Sequence, residues 1–354
     1  MLTHQDALKT SQVSLSGGTL VFDSSVTGNA FNFGALNGAG NLVLVNNAAT
    51  PAAVALTIGG TNQNSTYTSG GVISGAGSLT QSGSGYLYLS GTHTYSGGTT
   101  IAGTGYLEVR GALSIANSVL NVTSTNSKAV DIWAGKLTVR GLTGTGALVA
   151  NGAYNNGAGW WWNDSPTALA IATPLNETYT FSGALNNGTW NGSASMAVEK
   201  SGAGTQVLTG SGNFSGGITI LGGTLSFGSG SLGTGTIAVN GGTLQWNGSN
   251  TQDISARLTL QNGTVATLDT NGNAVTLATA FGGNTSGSLT KVGAGTLTLS
   301  AANTYTGGTT LSAGTLRAGV NGAFGSGAIS LNAGTLDVNG KTLANDITLS
   351  LIHI

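Results

Sequence analysis

The tripeptide Gly-Thr-Leu occurs six times in the chain, at 18–20, 223–225, 242–244, 295–297, 314–316 and 334–336. Three intervals between neighbouring copies, 223 to 242, 295 to 314 and 314 to 334, are nearly equal. So short a period constrains the fold more than any other feature of the sequence. One such unit has no room for a core of its own and buries its apolar side only by stacking on the next copy. Longer words recur around it. Residues 287–316 read GSLTKVGAGTLTLSAANTYTGGTTLSAGTL, 77–107 read GSLTQSGSGYLYLSGTHTYSGGTTIAGTGYL, and 200–225 read KSGAGTQVLTGSGNFSGGITILGGTL. Each joins an alternating run to an aromatic, then Ser/Thr-Gly-Gly, then a β-branched run.

The local pattern is strand. Leu297-Thr298-Leu299, Leu87-Tyr88-Leu89 and Ile218-Thr219-Ile220 alternate with period two. Asn-Gly pairs punctuate them, for example at 240–241, 262–263 and 339–340, where both residue types tolerate turn conformations. No segment shows a capped helical period. A unit of this length holds about three short strands and three corners. The expected fold is therefore all-β, a right-handed parallel β-helix of roughly 17 coils at ~20 residues each, running as one solenoid over 1–354. Gly97-Gly98, Gly216-Gly217 and Gly307-Gly308 read as corners, with Tyr95, Phe214 and Tyr305 packed beside them. A jelly roll or sandwich also uses short strands, but it leaves the repeated words unexplained.

Composition narrows the function classes. Only 6 % of residues are charged, against roughly 25 % in an average soluble protein. A net charge of −1 leaves no electrostatic footprint for nucleic acid. Glycine is abundant, at 61 residues, but there are only 3 prolines and no triplet period, which excludes collagen. A charge-poor chain solvates itself with hydroxyls and amides, which suits an extracellular setting, and without cysteine such a chain takes its stability from one continuous core or a repeated unit. Residues 1–10, MLTHQDALKT, lack the basic start and apolar stretch of a signal peptide, so an export signal is expected outside these residues.

Residues 287–316 resemble the autotransporter-associated β-strand repeat, also called the passenger-associated transport repeat. They follow its order Gly-x-Leu-x-Lys-x-Gly-x-Gly-Thr-Leu-x-Leu-Ser, then Asn-x-Tyr-x-Gly-x-Thr, with Ala301 where Gly is usual. Residues 77–107 depart at Gln81, Tyr86 and His93, and 200–225 are a shortened copy with Phe214 for Tyr. The resemblance implies a β-helical, surface-exposed passenger or stalk of a type V secreted protein at a Gram-negative outer membrane. It also implies that the repeat aids folding and export, and that a C-terminal β-barrel is the translocator. The ending Leu351-Ile352-His353-Ile354 carries no barrel pattern, so the chain reads as a fragment. The resemblance brings no catalytic residue.

Three further features bear on chemistry. The stretch 154–178 is the least repetitive and holds Trp160-Trp161-Trp162 with Asn163 and Asp164. Three consecutive tryptophans cannot face one way on a strand. They are expected to form an excursion, either a stacking platform for a host glycan or surface protein or a simple hydrophobic plug. The acids Glu108 and Asp131 are separated by close to one coil, and with Arg110, Lys136 and Arg140 suggest either a catalytic (lyase or hydrolase) or sugar-binding patch or a surface ion-pair ladder. Asp253, Arg257 and Asp269 form a thinner version. Trp133, Trp190 and Trp246 are expected to pack on the solenoid. His4, His93 and His353 lie far apart and there is no cysteine, so no metal and no cofactor is expected. The expected role is non-enzymatic.

Overall fold

A computed structural model describes residues 1–60, 62–67, 71–151, 167–188, 194–283 and 285–350. Among these there is no α-helix, and two short 3-10 segments, Thr27–Asn29 and Ser255–Arg257, interrupt a succession of short strands. The strands pair in parallel with those of neighbouring coils, which makes a parallel β-solenoid of about 14 coils. The chain forms two compact units. The first takes 1–172, 179–198 and 212–216, and the second takes 173–178, 199–211 and 217–354.

In the first unit one interior column runs Phe31, Leu56, Leu79, Thr99, Leu120, Leu142, all buried. A second runs Ser65, Leu87, Leu107, Val130, Leu148, Leu185. Each fully buried leucine contributes on the order of 1.5–3 kcal/mol relative to exposure. Successive members are one coil apart along the chain, but the step from Leu148 to Leu185 is nearly twice as long as the others. That longer step includes residues 152–166, which lie outside the described residues. Within it, the strand Thr167–Ala172 rejoins the ladder, with Leu169 opposite Leu137.

In the second unit the column is Gln206, Leu225, Leu244, Leu268, Lys291, Leu311, Leu331, Leu349. It is buried through Leu311, while Leu349 is 64 % exposed. Beside it, on the outer face, Thr224, Thr243, Thr267, Thr290, Thr310, Ser330 and Thr348 stack in register. Period-two alternation separates the two columns, since neighbouring residues of a strand point to opposite faces. Trp246 is fully buried, tilted against Phe227 at 5.2 Å, and its Nε1 donates to the Gln252 carbonyl at 3.0 Å. The coil count falls below the expected number because many coils run longer than the Gly-Thr-Leu period, and the step from Leu148 to Leu185 is nearly twice as long as its neighbours.

Candidate functional site

Two groups of residues stand out from the apolar columns: polar side chains turned into the solenoid, and a cleft on its outer face. The inward group sits at the repeat positions. Tyr95 and Tyr305 are fully buried, and their Oη atoms lie 2.5 Å and 2.7 Å from the Oγ1 atoms of Thr99 and Thr309. Burial pushes the Tyr95 phenol up to about 12 and raises that of Tyr305 as well. In the shortened copy the same two places hold Phe214 and Ile218, both buried. A buried hydroxyl without a partner costs ~1–3 kcal/mol. The two places therefore switch together, either both hydroxyl-bearing or both apolar.

The glycines beside these aromatics differ in their reasons. A Cβ on Gly97 would lie 2.3 Å from the Gly77 carbonyl, on Gly216 2.5 Å from that of Met196, and on Gly307 2.3 Å from that of Ser286. Stacked coils meet there with no room for a side chain. Gly217 and Gly308 have φ of +85° and +91°, which L residues rarely adopt. Gly98 is not left-handed and meets only the Val119 carbonyl, at 3.7 Å, so nothing around it demands glycine.

Lys200 and Lys291 carry a role that the sequence reading does not assign them. Both side chains are fully buried. Lys291 Nζ donates to the carbonyls of Val292 (2.7 Å), Gly293 (2.7 Å) and Ala313 (3.4 Å). Lys200 Nζ does the same with Ser201 (2.6 Å), Gly202 (3.0 Å) and Gly222 (3.2 Å). In each case one ammonium ties a corner to the next coil. Burial pulls both lysines down to about 8, with Asp269 acting against it at Lys291. Gln81 holds the equivalent place in the first copy, its Nε2 donating to the Gly85 carbonyl at 3.0 Å. The signal was present in the sequence, since Lys291 is two positions after Leu289 and so shares its inward face.

His93 is also structural. Its Nδ1 accepts from the Ile73 N–H at 3.1 Å, as Asn303 Oδ1 accepts from the Phe281 N–H at 2.9 Å in the later copy. Burial lowers His93 to about 4, so the ring is neutral. No group of three His, Cys, Asp or Glu side chains able to hold a metal is present among the described residues.

The outer-face cleft lies in the first unit. Glu108 and Asp131 are register partners on adjacent coils, so they do share one face. Both point outward yet are only 3 % exposed. Arg110 Nε donates to Glu108 Oε1, and the Arg110 guanidinium lies 5.5 Å from the Tyr88 ring centroid. Asn151 Nδ2 donates to Asp131 Oδ1. Burial pushes the Asp131 carboxyl up to about 6, opposed by Asn151, Lys128 and Arg110 and aided by Glu108. Tyr106, Asn126, Lys128, Asp131 and Trp133 line a cleft of about 290 Å³. Lys136 and Arg140 are not part of it. They lie on the strand Lys136–Gly144, where Arg140 Nε donates to Tyr179 Oη at 3.4 Å.

The thinner acidic group is dispersed. Asp253 accepts from Ser255 and from the Ala278 N–H, Arg257 Nη1 donates to the carbonyls of Leu232, Gly233 and Gly235, and Asp269 accepts from Gln245. Trp160, Trp161, Trp162, Asn163, Asp164 and Trp190 lie outside the described residues.

Comparison with known proteins agrees with this architecture. The family described as passenger-associated-transport-repeat matches at residues 79–109, 198–227 and 289–318, the same three copies read from the sequence. The chain is similar to the adhesin BmaC autotransporter of Brucella suis biovar 1 (strain 1330), at 33 % identity over 346 residues. The match covers 92 % of this chain and 9 % of that protein, so the chain spans about a tenth of the relative's length. No solved structure matches the chain. A parallel solenoid, three matches to that repeat family and similarity over nearly its whole length make this a repeat-bearing segment similar to autotransporter passengers, a class carried to the Gram-negative cell surface.

Proposed function

We propose that this segment is a non-enzymatic stalk that supports its own export by folding coil upon coil and presents adhesive regions at the cell surface. A linked outer-membrane β-barrel, encoded outside these residues, is the translocator in this reading. The observation that carries it is where the repeat spends its distinctive residues. Lys200, Lys291, Tyr95, Tyr305, Gly97, Gly216 and Gly307 all serve the packing of corners and coils, and no side chain among them reaches an outer surface where a substrate would sit. Each coil that completes these contacts templates the next, so folding propagates coil by coil. The pair Glu108 and Asp131 does not argue for a lyase or hydrolase, because Arg110 already engages the Glu108 carboxylate that such a reaction would need beside Asp131.

The test is surface display of the segment fused to an autotransporter barrel, read by protease accessibility on whole cells. Lys291→Ala combined with Tyr305→Ala is expected to lower the displayed fraction severalfold. Unchanged display of a variant that is measurably less stable in solution would refute folding-assisted export. Adhesion is the second half of the reading, supported by the name of the Brucella relative. Trp160, Trp161, Trp162, Asn163 and Asp164 are the residues proposed to meet a host glycan or surface protein. Host-cell binding that survives Trp161→Ala would remove that platform.

A further inference from the structure

We propose that the cleft lined by Tyr106, Lys128, Asp131 and Trp133 is a binding site for one neutral pyranose ring of a saccharide. This reading is independent of the export role and of the tryptophan stretch.

The coil architecture builds the site. Tyr106 and Glu108 alternate outward from the strand Tyr106–Arg110, whose Leu107 and Val109 fill the core. One coil on, Asp131 lies opposite Glu108 on the strand Val130–Ala134, and Trp133 follows two residues further along, where the register shifts beside Arg110. Tyr106 is extended on the other side by Tyr86, its register partner, with ring centroids 5.8 Å apart. The loop between the strands Leu113–Val122 and Val130–Ala134 closes the remaining side. There Asn126 Nδ2 donates to the Thr104 carbonyl at 3.0 Å, and Asn126 Oδ1 accepts from the Lys128 N–H at 2.9 Å. That clamp sets Lys128 over the Trp133 ring, with Nζ 6.0 Å from its centroid.

The chemistry is that of sugar recognition. The Tyr106 ring offers an apolar face to the C–H groups of a pyranose and brings a polar edge, while Trp133, covered by Lys128, forms the adjoining wall. Asp131 is only 3 % exposed, and Asn151 occupies only its Oδ1. The second oxygen is the acceptor left for sugar hydroxyls on the cleft floor. A buried carboxylate that accepts several hydrogen bonds is a strong anchor because charge-assisted bonds are roughly twice as strong as neutral ones. Lys128 supplies a donor at the rim. The volume, about 290 Å³, is at the small end of ligand pockets, enough for a single ring. Charge selects a neutral sugar. Glu108 and Asp131 are balanced by Arg110 and Lys128, so an acidic sugar would meet the buried acids and an organic cation would meet Lys128 where it already covers Trp133.

The experiment is saturation-transfer NMR and isothermal titration on the whole chain. The probes are methyl glycosides of glucose, galactose, mannose and N-acetylglucosamine, with methyl glucuronide as the acidic arm. At least one neutral glycoside is expected to bind saturably. Tyr106→Ala and Asp131→Asn are each expected to weaken it about tenfold or more, equivalent to ~1.4 kcal/mol. Lys128→Ala, on an outer loop, is expected to weaken it severalfold without a change in melting temperature. Thr298→Ala, on the second unit, serves as the control and is expected to bind as the parent does. The proposal is overturned by any of three results: no saturable neutral glycoside, binding of the glucuronide alone, or binding that Tyr106→Ala and Lys128→Ala both leave intact.

Discussion

At the scale of single residues, the two buried lysines are the least ordinary feature of the chain. Lys291 takes a place in an interior column filled mainly by leucine, and it compensates for burial by donating to three backbone carbonyls, as Lys200 does. Lys291→Met keeps the stem and strands those carbonyls, so it is expected to cost ~1–3 kcal/mol in urea unfolding. Lys291→Gln is expected to cost less, because Gln81 fills the same slot in the first copy. The pH profile has a definite sign. With folded values near 8 and an ordinary value of 10.5, Lys200 and Lys291 bind fewer protons in the folded chain than in the unfolded one between those pH values. Stability therefore rises with pH across that window, and the cost of their burial is fully present below pH 8. Tyr95 and Tyr305, raised above 10.0, act in the opposite sense once the unfolded chain ionises. Their contribution is lost as pH climbs above about 10. Stability measured across alkaline pH is expected to peak near pH 10, and Lys291→Met is expected to flatten the rising limb.

At the scale of the element, the corner after each aromatic behaves as a unit. The Tyr305 hydroxyl and Thr309 Oγ1 satisfy each other, and Thr309 also donates to the Phe324 carbonyl at 3.1 Å. Thr309→Ile alone leaves a buried phenol with no partner and is expected to cost ~1–3 kcal/mol. The double change Tyr305→Phe with Thr309→Ile reproduces the pair found at 214 and 218 and is expected to recover most of that loss. A double-mutant cycle in urea measures the coupling, and additive losses would contradict it. Two positions after the tyrosine, Gly307 faces the Ser286 and Gly287 carbonyls at distances no Cβ tolerates. Gly307→Ala is expected to destabilise the coil more than Gly322→Ala, whose nearest contact is the Ala302 Cβ at 3.6 Å, although Gly322 itself has a φ of +72°.

At the scale of the whole molecule, parallel register makes a full coil the unit of insertion and loss. Excising 225–243 joins Thr224 to Leu244 and puts Leu244 opposite Gln206, where Leu225 had been. The shortened chain is expected to keep its strand circular dichroism and to unfold with an m value reduced in proportion to the lost surface. Excising 225–234 instead removes half a coil. It puts the following leucines out of register with the interior column and is expected to abolish cooperative unfolding of the second unit. Equal behaviour of the two excisions would contradict a register-defined solenoid.

The repeated words settled the architecture without any coordinates. A period as short as that of Gly-Thr-Leu, with two-residue alternation inside it, can bury its leucines only by stacking, so all-β parallel coils followed from the spacing alone. The spacing of Glu108 and Asp131 likewise placed them on one face, since it is close to one coil. The coil number and the purpose of individual polar residues were decided elsewhere. Loop lengths between strands are set by how each corner closes against its neighbour, and period alone does not report them. Alternation marks Lys291 as inward but does not name the carbonyls that make its burial tolerable, because they belong to its own corner and to the next coil. The cleft beside Asp131 depended on tertiary structure throughout. It is assembled from two coils and a connecting loop, and only their packing brings a buried carboxylate, two aromatic rings and a lysine to one place.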